Sequence, residues 1–395
     1  MLIGIDASRA TSARPTGTER YSLQVIRGLV QAGPQHRFRL YLREPAPPGL
    51  LPEGPQVEHV VIGPHRLWTH LGLSREMVQR PPDVLFVPAH VVPLCHPPAS
   101  VVTVHDLGYR FFPYQHTWSA RLYLDASTRY SSRVARCIIV DSQATARDLQ
   151  REYGVAAERI RVVYPGLDPA MARASKAAQE EVRLRYGLAR PFVLYVGTIQ
   201  PRKNLARLVE AFAHLPRDLA GVDLVLAGQT GWLAGEILAT IQRLGLEARV
   251  RLPGYVPQED LPPLLSAAEC FVMPSLYEGF GLPVLEAMAC GTPVICSDAG
   301  SLPEVAGEAA LQFPATDVEA LAASLARLLS DTALRQSLAT RGLAWCRRFS
   351  WERTARQALD VLTEAAGQGP GEGDAQIRAE RVSQPPSARA PEQYP

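Results

Sequence analysis

Glu278 and Glu286 stand at either end of a glycine-containing turn in the segment Pro274–Gly291, PSLYEGFGLPVLEAMACG. The segment follows the apolar run Cys270–Pro274, which reads as a buried strand, so it lies at a strand's carboxyl end. Gly279 and Gly281 permit a turn in which backbone approaches a ligand closely. Pro283 suits the first helical position, and Gly291 suits the helix stop. The turn therefore offers the N–H groups of Phe280, Gly281 and Leu282 at a helix N-terminus, a cradle for an anion or a hydroxyl. Both carboxylates can reach one ligand from opposite ends of it. A capping glutamate before a glycine turn gives similar spacing, but the length of the motif favours a ligand site.

A second segment, Gly197-Thr198-Ile199-Gln200-Pro201-Arg202-Lys203-Asn204, follows the apolar run Phe192–Gly197 and precedes a helical stretch. Adjacent Arg and Lys at a helix entry suit a diphosphate: the guanidinium binds bidentate, the ammonium acts as a point charge, and the helix dipole adds to both. A solvated basic turn is the competing reading. Two weaker signals lie in the first half. Gly17 in Gly17-Thr18-Glu19-Arg20-Tyr21 can bring backbone against a phosphate, although every strand–helix unit has such a loop. The spacing is not G-x-G-x-x-G, so a dinucleotide oxidoreductase gains no support. His105 and Asp106 end the run Val101–His105 and point toward the ligand-facing edge of a sheet rather than the core.

These segments need strands to carry them. Short apolar runs occur at Leu2–Asp6, Phe38–Leu42, Val57–Val61, Val84–Val87, Val101–His105 and Cys137–Asp141. A second series follows at Phe192–Gly197, Asp223–Gly228, Val250–Leu252, Cys270–Pro274, Val294–Ser297 and Leu311–Phe313. Continuous apolar runs alternating with helical stretches predict parallel sheets covered by helices on both faces. The fold class is α/β, with two doubly wound Rossmann-like domains facing each other across a cleft. The boundaries fall at 1–186 and 187–349, with a helix over 350–366 able to pack back across either domain. From Gly367 to Pro395 the chain carries five Pro and four Gly and few large apolar residues, which predicts a disordered tail.

Composition removes other classes. The net charge is +2, which disfavours a nucleic-acid partner. No run of 18 apolar residues suggests a membrane span, and the first residues read as a strand rather than a signal peptide, so a cytoplasmic protein is expected. The six cysteines lack metal-ligand spacing and read as buried thiols.

Together these motifs resemble the retaining GT-B glycosyltransferases of family 4. The matching pieces are Glu278–Glu286 (a Glu-x7-Glu pattern), Gly197-Thr198 with Arg202-Lys203-Asn204, Gly254-Tyr255-Val256-Pro257, Ser301-Leu302-Pro303-Glu304-Val305 and Phe349-Ser350-Trp351-Glu352. Gly17–Tyr21 and Val104–Leu107 extend the likeness to the first half, and the His-Asp-Leu form followed by Pro113 is similar to the mannosyltransferase branch. The resemblance implies a nucleotide-sugar donor, such as GDP-mannose, held by the C-terminal domain and used without a metal or other cofactor. Arg202 and Lys203 would neutralise the diphosphate, and Glu286 would bind the ribose. Glu278 with the N–H groups of Phe280, Gly281 and Leu282 would hold the sugar and phosphate. Gly17 would close on the diphosphate, with Gly197 and Thr198 opposite it, and Tyr255 and Val256 would line the base pocket. His105 would sit by the anomeric centre with Asp106 behind it.

The implied reaction is retaining transfer of a hexose, mannose favoured, to a glycan or lipid-linked acceptor. An epimerase, a phosphorylase or a non-catalytic nucleotide-sugar binder are the alternatives on such a fold. A pyridoxal-dependent phosphorylase would need a lysine in a suitable pocket pattern, which neither Lys176 nor Lys203 has. A stripe of Arg129, Arg133 and Arg136 on the helical segment Ser119–Arg136 can rest on anionic lipid at the inner face of a membrane. A solvated face pairing with Asp125 explains the same stripe.

Overall fold

The structure, a computed structural model, describes residues 1–12, 17–63, 67–89, 91–115, 117–231 and 235–367. The tail expected to be disordered lies outside these residues, apart from Gly367.

Two parallel sheets form the molecule. The N-terminal sheet comprises β1 (Leu2–Asp6), β2 (Arg37–Leu42), β3 (Val57–Val61), β4 (Val84–Val87), β5 (Ser100–Val104), β6 (Cys137–Val140) and β7 (Ile160–Val162), in the order β3-β2-β1-β4-β5-β6-β7. The C-terminal sheet comprises β8 (Phe192–Val196), β9 (Asp223–Ala227), β10 (Val250–Gly254), β11 (Cys270–Met273), β12 (Val294–Ser297) and β13 (Ala310–Phe313), in the order β10-β9-β8-β11-β12-β13. Strands such as β5, β6, β11 and β12 are buried along their whole length, which is why they read as unbroken apolar runs. Strand β7 escaped that reading. It has three residues with a charged centre, and Arg161 is satisfied there by Glu364 from the C-terminal helix.

That helix, Trp351–Ala365, buries Ala358, Val361, Leu362 and Ala365 in the core of the N-terminal sheet, alongside Val25, Ile26 and Leu29 of the helix Gly17–Ala32. The chain therefore crosses between the sheets twice. The two crossings run side by side, with the Leu167 amide donating to the Phe349 carbonyl at 3.2 Å. The expected boundary near residue 187 needs correction. Met171, Val182 and Leu188 lie in the core of the C-terminal sheet. The helix Lys176–Arg185 is tied there by Arg185 to Asp260 (2.6 Å) and followed by Tyr186, which donates to the same carboxylate (2.7 Å). Residues from about 171 onward thus pack with the second sheet, because the amphipathic helix finds its apolar partner there. Five cysteines are buried as expected, whereas Cys95, in the connection before β5, is exposed.

Candidate active site

In each sheet the strand order reverses between two neighbours, and the crevice beyond their carboxyl ends is where ligands bind in doubly wound folds. In the C-terminal sheet those neighbours are β8 and β11. Their following loops carry Arg202-Lys203 and Glu278, so the two segments that sequence singled out stand side by side.

The loops are stitched together. The Leu276 amide donates to the Arg202 carbonyl (2.9 Å), and Arg202 Nη1 donates to the Tyr277 carbonyl (3.0 Å). Asn204 holds a left-handed conformation (φ 59°), fixed by its side-chain amide donating to the carbonyls of Pro274 and Ala315. Lys203 Nζ donates to Glu278 Oε1 at 2.6 Å, and the Ser275 hydroxyl donates to the same oxygen at 2.5 Å. Arg202 Nη1 lies 3.7 Å from the other carboxylate oxygen. Burial works to raise the Glu278 carboxyl, but Lys203 and Arg202 outweigh it and hold the group below its ordinary range. Burial lowers the Lys203 ammonium, with Arg202 adding to the effect and Glu278 opposing it.

Gly279 brings the domains together. A Cβ at this position would lie 2.3 Å from the His105 carbonyl oxygen and 2.6 Å from Asp106 Cβ, so the turn after Glu278 rests directly on the end of β5. Gly281 takes φ 99° and opens the helix Leu282–Ala289, leaving that helix N-terminus facing the crevice. The Phe280 ring packs between Tyr164 and Phe349, at 6.0 and 5.9 Å between centroids, so what Phe280 can present to the crevice is main chain. Glu286 is half-buried on this helix. Burial pushes its carboxyl up to about 7, with Asp168 adding to the shift and Arg20 opposing it. Arg20 belongs to the helix that Gly17 opens in the N-terminal domain, so that segment faces Glu286.

His105 is held differently from the expectation. Its Nδ1 lies 2.7 Å from Oδ2 of Asp141, and its Nε2 lies 2.9 Å from the Pro88 carbonyl oxygen, which fixes a proton on Nε2. Tyr21 meets the ring edge-on at 4.8 Å. Burial opposes protonation of the imidazole, but Asp141 overcomes it and raises the ring above its ordinary value. Asp106, expected behind His105, instead accepts from the Gly108 amide at 2.8 Å. Register explains the exchange of partners. Val104 pairs with Val140, so the residues that follow, His105 and Asp141, leave adjacent strands together. Each is a polar residue ending an apolar run, and that shared pattern is the signal that points to Asp141.

Of the other expected residues, Gly197 and Thr198 leave β8, and the Thr198 carbonyl accepts from the Tyr195 hydroxyl at 3.1 Å. Val256 is buried in the core beside the end of β10, whereas Tyr255 is 60% exposed. Glu304 carries a contact that sequence did not assign. Its two carboxylate oxygens accept from the Gln143 and Ala144 amides, each at 3.0 Å, at the start of the helix Gln143–Tyr153 in the opposite domain.

Comparison with known proteins places this crevice in a family. A model described as glycosyl transferases group 1 matches residues 179–345, and one described as Glycosyltransferase Family 4 matches residues 15–171. The O-antigen chain mannosyltransferase B of Escherichia coli is 37% identical over 264 residues, 66% of this chain and 69% of that protein. The chain belongs to the group 1/family 4 glycosyltransferases. This glycosyltransferase is also 32% identical over 237 residues to the serotype-specific mannosyltransferase WbdA of Escherichia coli, covering 58% of the chain and 29% of that longer protein. Among solved structures, the sucrose-phosphate synthase of Thermosynechococcus elongatus superposes with a TM-score of 0.71 at 24% identity, over 92% of this chain and 98% of that one. WaaG, a glycosyltransferase involved in lipopolysaccharide biosynthesis, gives 0.70 at 19% identity, over 92% and 100%. These likenesses establish the GT-B fold, and family membership establishes glycosyl transfer.

Proposed function

We propose that this glycosyltransferase moves a hexose, with mannose favoured, from a nucleotide sugar such as GDP-mannose to a glycan or lipid-linked acceptor, with retention and without a metal. The observation that carries the reading is the Arg202–Lys203–Glu278 cluster at the strand-order reversal of the C-terminal sheet, pressed against the His105 end of β5. The mannosyltransferase relatives support the choice of sugar.

The C1–O bond to the diphosphate breaks with its electron pair leaving on the phosphate oxygen. The acceptor oxygen bonds to C1 on the same face, and its proton passes to that departing oxygen. Arg202 and Lys203 supply the positive charge that the leaving group needs, and preorganised charge of this kind is the largest ordinary source of rate enhancement. Glu278 keeps both cations in place and, with the N–H groups of Phe280, Gly281 and Leu282, holds the sugar and phosphate. Glu286 takes the ribose hydroxyls. Gly17, Gly197 and Thr198 bring backbone to the diphosphate, and Tyr255 and Val256 border the base. The decisive experiment is a donor panel with a mannose-terminated acceptor, product configuration read by NMR, and the rate measured with and without EDTA. An α-linked product from an α-linked donor at an undiminished rate in EDTA supports the reading. An inverted product, or a rate abolished by EDTA, overturns that part of it.

The proposed setting is the cytoplasmic face of a membrane, where a lipid-linked acceptor would be reached by peripheral contact. Among the described residues no helix is long and apolar enough to cross a membrane. The arginine stripe is an incomplete basis for contact, since Arg129 lies 3.7 Å from Asp125 and over the Tyr153 ring, and Arg136 lies beyond the helix end. The helix spans Trp118–Val134, beginning one residue earlier than expected. Its first turns expose Trp118 (78%), Leu122 (59%) and Tyr123 (51%), the apolar row that sequence reading did not find. An aromatic and aliphatic row beside Arg121 suits a headgroup interface. Cosedimentation with vesicles of rising anionic-lipid content tests it: binding by the wild type and not by Trp118→Ser/Leu122→Ser supports contact, whereas no binding at low salt removes it.

A further inference from the structure

Tyr277 belongs to one domain by its main chain and to the other by its side chain. It is fully buried, yet its ring lies against Phe111 and Phe112, at 5.1 and 6.4 Å between centroids, at the end of the short helix Gly108–Phe111 that follows β5. Its hydroxyl accepts from the Leu107 amide at 3.1 Å and donates to Asp148 Oδ2 at 2.9 Å on the helix Gln143–Tyr153. The other Asp148 oxygen accepts from Arg151 at 2.8 Å. On the main-chain side, the Tyr277 carbonyl accepts from Arg202, and the next residue is Glu278. Two residues before Leu107 stands His105.

We propose that the Tyr277 hydroxyl is a positioning group that fixes the Arg202–Lys203–Glu278 cluster against the His105 end of the N-terminal domain in the arrangement competent for transfer. The proposal rests on the transferase reading above. Of the proposed donor contacts all but Gly17 lie on the C-terminal domain, so loss of the hydroxyl should misplace the two halves of the site with little weakening of donor binding. Misplacement on the ångström scale costs on the order of 100-fold in rate. Burial keeps the phenol far above its ordinary value, so it serves as a neutral O–H donor at any working pH.

The test compares Tyr277→Phe, Asp148→Ala and Asp148→Asn in the full chain, measuring transfer kcat, donor Kd by calorimetry and Tm. Tyr277→Phe should lower kcat about 10- to 100-fold with donor Kd unchanged within about twofold. Asp148→Ala should match it, the double variant should be no worse than either single, and Asp148→Asn, which keeps an accepting oxygen, should recover most of the rate. Wild-type kcat in both Tyr277→Phe and Asp148→Ala overturns the proposal while leaving the transferase reading intact. So does a rate loss matched by an equal loss of donor affinity. Absence of transfer by the wild type itself removes both.

Discussion

The ammonium of Lys203 lies 2.6 Å from a Glu278 carboxylate oxygen that also accepts from Ser275, so an anion within the protein orders the site's cations. With Arg202 the cluster carries a net charge of +1, which suits the proposed diphosphate better than a neutral sugar. Removing one member has unequal consequences. Glu278→Ala leaves two half-buried cations facing each other, which costs up to about 3–5 kcal/mol, the range for breaking a fully buried pair. Lys203→Ala leaves Glu278 with Arg202 and Ser275. Both variants should lose most of the transfer rate, but Glu278→Ala should lower Tm clearly more, as read by calorimetric melting. Equal melting temperatures would show that the carboxylate does not hold the cations.

Donor binding should depend on pH through Glu286. Its carboxyl, pushed up to about 7, is largely neutral at pH 6 and largely ionised at pH 8. Ribose hydroxyls donate better to a carboxylate, so donor Kd should fall as pH rises through that window. The sign follows because the raised group binds a proton in the donor-free protein that the donor complex releases. Calorimetric titration of Glu286→Gln should show the slope gone. A wild-type Kd flat from pH 6 to 8 would contradict the role.

Glu304 ties the domains at a second point, accepting from two amides that open the helix Gln143–Tyr153 and from the Tyr164 hydroxyl at 3.1 Å. Loss of such a cap costs about 1 kcal/mol. Glu304→Ala should lower stability by that order and enlarge the radius of gyration in solution scattering. An unchanged radius would mean that Tyr277 and Gly279 hold the domains together unaided.

The C-terminal helix is a structural member of the N-terminal domain. Leu362 of this helix is fully buried in that domain's core, so Leu362→Ala should cost about 2–5 kcal/mol and unfold that domain first, measurable by hydrogen exchange on β1 and β4. Exchange that rises first on β8 and β11 would place the helix wrongly.

Among the described residues twelve of the thirteen strands are visible in sequence, most clearly where burial on both faces writes an unbroken apolar run, as in β5, β6, β11 and β12. Strands β3, β10 and β13 are partly exposed, and the three-residue edge strand β7, with Arg161 at its centre, is not visible. The glycine turns and the Arg-Lys and Glu positions are legible for a similar reason: each depends on chain-local geometry at a strand's end. What sequence could not supply is lateral register. His105 meets Asp141 only because β5 and β6 pair in register, and Tyr277 meets Asp148 only because the domains dock. Asp106 is nearer in sequence to His105, but adjacent residues along an extended backbone point opposite ways. The domain boundary shifts for a like reason, since the helix Lys176–Arg185 covers the sheet whose core Val182 joins, and its tie to Asp260 lies far along the chain.

The most direct test is a single kinetic comparison: transfer from GDP-mannose to a mannose-terminated glycan by the wild type, by Lys203→Ala and by Arg202→Ala, with folding verified by circular dichroism. The leaving diphosphate should fail without its cations, so each folded variant should lose about 100-fold or more in kcat. Folded variants that transfer mannose at the wild-type rate would contradict the assignment of the site.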